Sequence, residues 1–203
     1  MSSEDLKALI VRIARKHFAT HGYYGASLKA IAEEAKVANS LINYHFSDRQ
    51  GLFRSCIVPF LHNRMESIQR ILREPHSRED LRVRLELFVE EMLDAIRVDP
   101  HGFDILNREI KAGNVEILEV FEETVLEAFR LAVVFFEQAK ANGLLRPEMD
   151  PQIMSLLLVS ATCDAPRKEM IMKRLFNRSL EEADFRKSLV QHVVVFFLSG
   201  VTG

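Results

Sequence analysis

The sequence predicts an all-α protein with an N-terminal three-helix head carrying a helix-turn-helix and a larger C-terminal helical bundle. Three observations carry this. Apolar residues recur at helical spacing almost from end to end. Breakers are scarce, with 8 Gly and 6 Pro in 203 residues. Helix-start signals recur wherever one periodic segment gives way to the next. No pair of alternating runs joined by a turn dipeptide argues for strands, and no internal repeat is found.

The elements follow in order. Leu6, Leu9, Ile10, Ile13, Ala14, His17 and Phe18 form one helical face, and Gly22 is expected to end that helix, since glycine takes a positive φ at least cost. Ser27 caps a second helix, Leu28 to Ala35. The break Lys36-Val37-Ala38 separates it from a third, Asn39 to Phe46. Ser47 or Asp48 starts a long helix to about Arg73, with Pro59 inside it as a bend point. Ser77 with Asp80 opens the next, to about Val98, and Pro100 opens a short one ending near Gly113. Glu116 to Ala141 is long and amphipathic. Asp150-Pro151 is a cap followed by an N1 proline. The helix it starts breaks at Asp164-Ala165-Pro166 and resumes to Phe176. Ser179 with Glu182 reads as a capping box for the last helix, ending near Gly200.

Charge divides the chain unevenly. Residues 1–55 hold eight Lys/Arg against five Asp/Glu, a net of +3, while residues 56–203 hold 19 against 24, a net of −5. A small basic segment ahead of a larger acidic one suggests two tasks, and the expected domains are a head of residues 1–48 and a body of residues 49–203. The two cysteines, Cys56 and Cys163, are far apart and outside any CxxC pair, so neither a disulfide framework nor a structural zinc site is expected. The N-terminus has no basic and apolar leader pattern, and no apolar run approaches the ~18 residues of a membrane span. A soluble cytoplasmic protein is the expectation. The seven histidines are scattered, with no H-E-x-x-H, no G-x-S-x-G and no glycine-rich phosphate loop. No catalytic residue, cofactor or metal is therefore expected.

The segment SLKAIAEEAKVANSLINYHFSDRQGLF, Ser27 to Phe53, is the most informative. Ile31, Ala35, Val37, Ile42 and Phe46 can share a small core, with Ala32 and Ala35 allowing a close helix crossing. The second helix then turns Asn39, Ser40, Asn43, Tyr44 and His45 outward, side chains able to reach base edges or phosphates. The pattern alone also fits a plain helical corner with a solvated face.

The motif, together with Phe18, Gly22, Tyr23, Leu41-Ile42-x-Tyr44-His45-Phe46 and Leu52, resembles the DNA-binding head of the tetracycline-repressor-like (TetR) transcription regulators. The likeness covers about residues 6–55. Lys36 stands where the family turn usually has glycine, and Ser47 where many relatives carry a lysine. The resemblance implies a DNA-binding set of Ser27, Lys29, Asn39, Ser40, Asn43, Tyr44, His45 and Arg49. Asn39, Ser40 and Asn43 would face bases, Tyr44 and His45 the groove wall or phosphates, and Lys29, Lys36 and Arg49 would add electrostatic affinity. It further implies a repressor that binds a palindromic operator in double-stranded DNA and is released by a small-molecule effector.

In the body, 14 Phe and 7 Met in the whole chain supply adaptable apolar surface. The expected effector set is Phe60, Arg64, Met65, Phe88, Met92, Phe103, Asn107, Arg108, Phe121 and Cys163, for an apolar or amphipathic ligand. Ordinary core packing explains most of the same residues. The last two long helices are apolar around more than one face, which predicts a homodimer through them. A ligand-free helical dimerisation or protein-interaction module is the alternative.

Overall fold

Helices account for the regular structure throughout, and no strand occurs among the described residues. The computed structural model describes residues 2–113 and 115–201, with backbone alone at 95, 96, 115–123, 125, 167, 200 and 201. The chain divides into two compact units, residues 1–64 with 99–124 and residues 65–98 with 125–203.

The first unit holds α1 (Ser3–Gly25), α2 (Leu28–Ala35), α3 (Asn39–Phe46), most of α4 (Arg49–Ile71), α6 (Pro100–Ala112) and the start of α7 (Val115–Ala141). Ser2 and Asp5 form a reciprocal capping box at the start of α1. Gly22 does not end α1. It takes φ 74° and kinks it, and the helix resumes to Gly25. Ser27 caps α2 by accepting from the Ala30 N–H at 3.3 Å. Lys36 closes α2 in the left-handed conformation at φ 57°, its N–H bonded back to Ala32 and Glu33. Asp48 starts α4 by accepting from the Gly51 N–H at 2.7 Å.

These local choices bury one apolar face. Ile31, Ala32, Ala35, Ile42 and Phe46 are buried as the spacing predicts. Behind them Phe18 and Tyr23 stand edge-on to Phe53, with centroids 5.1 and 5.2 Å away. Each such large apolar side chain contributes roughly 1.5–3 kcal/mol on burial.

The second unit holds α5 (Arg78–Val98), α8 (Pro151–Asp164), α9 (Glu169–Ile171), α10 (Ala183–Val201), the end of α4 and most of α7. Its core gathers Leu81, Leu85, Phe88 and Val89 from α5, Ala132, Phe135 and Phe136 from α7, Met154 and Leu158 from α8, and Val190, Val194 and Phe197 from α10. Asp150 caps α8, accepting from the Gln152 N–H at 2.8 Å. After Asp164 the chain continues as a 3-10 turn (Pro166–Lys168), α9 and a π-helical turn (Met172–Phe176). Ser179 and Glu182 pair as predicted, the Ser179 N–H donating to Glu182 at 2.8 Å, but they close a separate turn and α10 starts only at Ala183. The Ser179 hydroxyl donates to Glu169 at 2.6 Å and accepts from the Glu181 N–H at 3.1 Å. No helix among the described residues is long and apolar enough to cross a membrane.

Candidate nucleic-acid interface

α3 presents the side chains expected of a recognition helix. Asn39, Ser40, Asn43 and Tyr44 are exposed, Tyr44 at 81%. Ile42 and Phe46, on the other face, are buried against α2. At that exposure Tyr44 buries little of its ring within the chain. His45 is half-buried, its ring edge-on to Tyr44 at 5.1 Å and to Phe46 at 6.2 Å. Ala38 precedes α3 with no side-chain cap, leaving the first-turn N–H groups without a side-chain acceptor.

α2 supports this face. Ser27 is exposed with its hydroxyl on Ala30, and Lys29 is exposed in a loose pair with Glu33 at 3.9 Å. His17 of α1 meets Glu34 of α2 at 2.8 Å, and that hydrogen bond holds the Glu34 carboxyl below its ordinary range. Arg49 is placed differently from the other predicted cations. One of its terminal nitrogens donates to the carbonyls of Tyr23 at 2.8 Å and Ala26 at 2.5 Å, and the guanidinium lies 5.9 Å from the Tyr23 ring centre. It therefore braces the corner between α1 and α2 from α4.

Sequence reasoning missed two groups that tie α6 to α1. Glu109 of α6 is 1% exposed, and its carboxylate accepts from the Tyr23 N–H at 2.8 Å. Asp99, the cap of α6, accepts both from the Gly102 N–H at 2.9 Å and from the Arg15 guanidinium of α1. The signal for Glu109 was a carboxylate four residues after Ile105 and seven after Gly102, in helical register with both on the buried face of α6.

The predicted effector residues fall in both units. Phe60, Arg64, Phe103, Asn107 and Arg108 belong to the first, where Phe60 and Phe103 are buried and the Arg64 guanidinium lies 6.0 Å from the Phe60 ring centre. The Arg108 Nε donates to the Ala19 carbonyl at 3.2 Å. Met65, Phe88, Met92 and Cys163 belong to the second, where Phe88 is buried and the others are half-buried. The side chain of Phe121 lies outside the described residues. An apolar hollow between α8 and α10 is lined by Leu157, Ala161, His192, Val193, Phe196 and Phe197, none of them in the predicted set. Beside it Ile153, Leu156, Leu157, Val195 and Phe196 form exposed apolar surface. Among the described residues, no three His, Cys, Asp or Glu side chains gather in a way that would hold a metal ion.

A helix-turn-helix with an exposed second helix, carried on an all-helical body, defines a DNA-binding regulator of transcription. Residues 10–56 match the family model of the bacterial regulatory proteins of the tetR family. The chain is 28% identical over 145 residues to the HTH-type transcriptional repressor AcnR of Corynebacterium glutamicum, covering 59% of this chain and 77% of that one. It is 25% identical over 103 residues to the HTH-type transcriptional activator FasR of Mycolicibacterium smegmatis, covering 51% and 46%. The fold is shared with the ketosteroid transcriptional regulator KstR2 of Mycobacterium tuberculosis at TM-score 0.74 and 16% identity, over 100% of this chain and 97% of that one. It is shared also with the fatty acid degradation regulator FadR of Bacillus halodurans at TM-score 0.72 and 20% identity, over 98% of each.

Proposed function

We propose that the chain is a cytoplasmic, ligand-responsive repressor that binds a palindromic operator as a homodimer and acts by binding, without catalysis. The head, residues 1–48, docks α3 in the major groove, and residues 49–203 form the dimerisation and effector-binding body. The observation that carries this reading is the exposed polar face of α3 opposite a fully buried one. Asn39, Ser40 and Asn43 read base edges, while Tyr44, His45, Ser27 and Lys29 contact the backbone. Arg49 contributes by holding the corner that carries α2.

Two protomers pair through α8 and α10, whose exposed Leu156, Leu157, Val195 and Phe196 supply the apolar surface that such an interface needs. An apolar or amphipathic effector releases the DNA. It is drawn by Met65, Phe88 and Met92 of the second unit, with Cys163 as a polar partner. A coupling of about 1–3 kcal/mol lowers operator affinity about 5–150-fold. Selection from random duplexes tests the reading. The expected result is an inverted repeat with half-site centres roughly one to one and a half helical turns apart. Enrichment of no inverted repeat overturns it.

A further inference from the structure

The kink at Gly22 interrupts the backbone ladder of α1, and α6 takes up both halves of one interrupted bond. In a regular α-helix the N–H of residue 23 donates to the carbonyl of residue 19. Here Gly22, at φ 74° and ψ 176°, swings the Tyr23 N–H away from α1 to Glu109 at 2.8 Å, and the Ala19 carbonyl receives the Arg108 Nε at 3.2 Å. Two consecutive residues of α6 thus replace the acceptor and the donor that the kink separates. The fit is close, because a Cβ on Gly22 would lie 3.1 Å from the Arg108 Cδ and 3.3 Å from a Glu109 carboxylate oxygen. On the far side of the same corner, Arg49 holds the carbonyls of Tyr23 and Ala26. Ala26 immediately precedes Ser27, the cap of α2, so the corner leads directly into the helix-turn-helix.

We propose that Arg108 and Glu109 are positioning residues for DNA recognition. They splint the kinked end of α1 and so fix the direction in which α2 and α3 leave it. α6 is joined in sequence to α5 and α7, which carry the chain out of the first unit at either end. The splint thereby ties the recognition helix to the segment that connects it with the rest of the protomer. The consequence is selectivity for operator geometry. A splinted head accepts one half-site spacing, whereas a loosened one accepts several and reads the same bases.

This inference rests on the operator-binding reading above, and the experiment separates the two. Glu109→Ala, Glu109→Gln and Arg108→Ala are compared with the unaltered protein on the selected operator and on duplexes whose spacing is changed by one or two base pairs. The unaltered protein is expected to prefer its own spacing by about tenfold or more, and Glu109→Ala by no more than about threefold, with half-site base preferences unchanged. Glu109→Gln keeps an acceptor but loses its charge and falls between, as does Arg108→Ala. Circular dichroism reports folding, and where Glu109→Ala does not fold the other two variants decide. Folded variants that keep the original spacing preference overturn the proposal. Amide hydrogen exchange provides a test without DNA: the Tyr23 N–H should exchange at least about tenfold faster in Glu109→Gln. An unchanged Tyr23 rate also overturns the splint, whereas failure of the unaltered protein to select any inverted repeat overturns only the operator reading.

Discussion

Lys36 closes α2 with φ 57° and ψ 42°, a conformation that costs a residue with a Cβ about 1–2 kcal/mol. Glycine avoids that cost but loses more chain entropy on folding. The net gain for Lys36→Gly is about 0.5–1 kcal/mol, and the melting temperature should rise by about 1–4 °C. A fall in thermal unfolding experiments would mean that the lysine stem makes a stabilising contact of its own. The two cysteines differ in burial. Burial pushes the Cys56 thiol up to about 12, so it stays protonated and unreactive near neutral pH, while Cys163 is half-buried. A thiol reagent at pH 8 is expected to modify one cysteine of the native protein, Cys163, and the second only on unfolding. Rapid modification of Cys56, read by peptide mass, would contradict its placement.

At the scale of the element, α6 runs from Pro100 to Ala112 as its start and stop signals predict, but its packing reverses a propensity rule. Its Gly102 lies in the first turn, where alanine ordinarily stabilises by less than about 1 kcal/mol. Here a Cβ would lie 2.7 Å from the buried Phe60 ring and 2.9 Å from the Arg15 guanidinium. The sign therefore reverses: Gly102→Ala should destabilise by about 1–3 kcal/mol in denaturant unfolding, and a gain in stability would show that α6 and α4 approach less closely. On α2, Lys29→Ala should lower the slope of log affinity against log salt by about one, with little loss of specificity.

What was legible followed from local chemistry. Ser27, Asp48, Asp150 and the buried face Ile31, Ala35, Ile42 and Phe46 declare helix starts and one shared core through spacing alone. Tyr44 and Asn43 were legible as an outward face for the same reason. The roles of Glu109, Asp99 and Arg49 were not, because each acts on a backbone group or side chain far away in sequence, and no local period encodes such a partner. Gly22 was read as a stop because a positive φ usually ends a helix. The helix continues because α6 supplies the groups that the kink leaves open. Ser179 failed as the cap of α10 because its hydroxyl, donating to Glu169, accepts from the Glu181 N–H within a separate turn, and the helix begins only at Ala183.

At the scale of the molecule, operator binding requires two heads held at a fixed distance, so dimerisation and recognition must fail together. Phe196 is 75% exposed on α10, beside Val195. A charge placed there at a two-fold interface is buried against its own copy. Phe196→Glu should convert a dimer to a monomer in sedimentation and lower operator affinity at least about a hundredfold, with helical content unchanged. A variant that remains dimeric would move the interface away from α10.

The central claim is that α3 reads base edges, and the most direct test is a pair of affinities. The unaltered protein and Asn43→Ala are titrated against the selected operator and a scrambled duplex of equal length, at one salt concentration. The unaltered protein should bind the operator at least about 10³-fold more tightly than the scrambled duplex. Asn43→Ala should lose about 5–150-fold on the operator, the equivalent of one base contact at about 1–3 kcal/mol, and nothing on the scrambled duplex. An equal loss on both duplexes, or no preference by the unaltered protein, would contradict it.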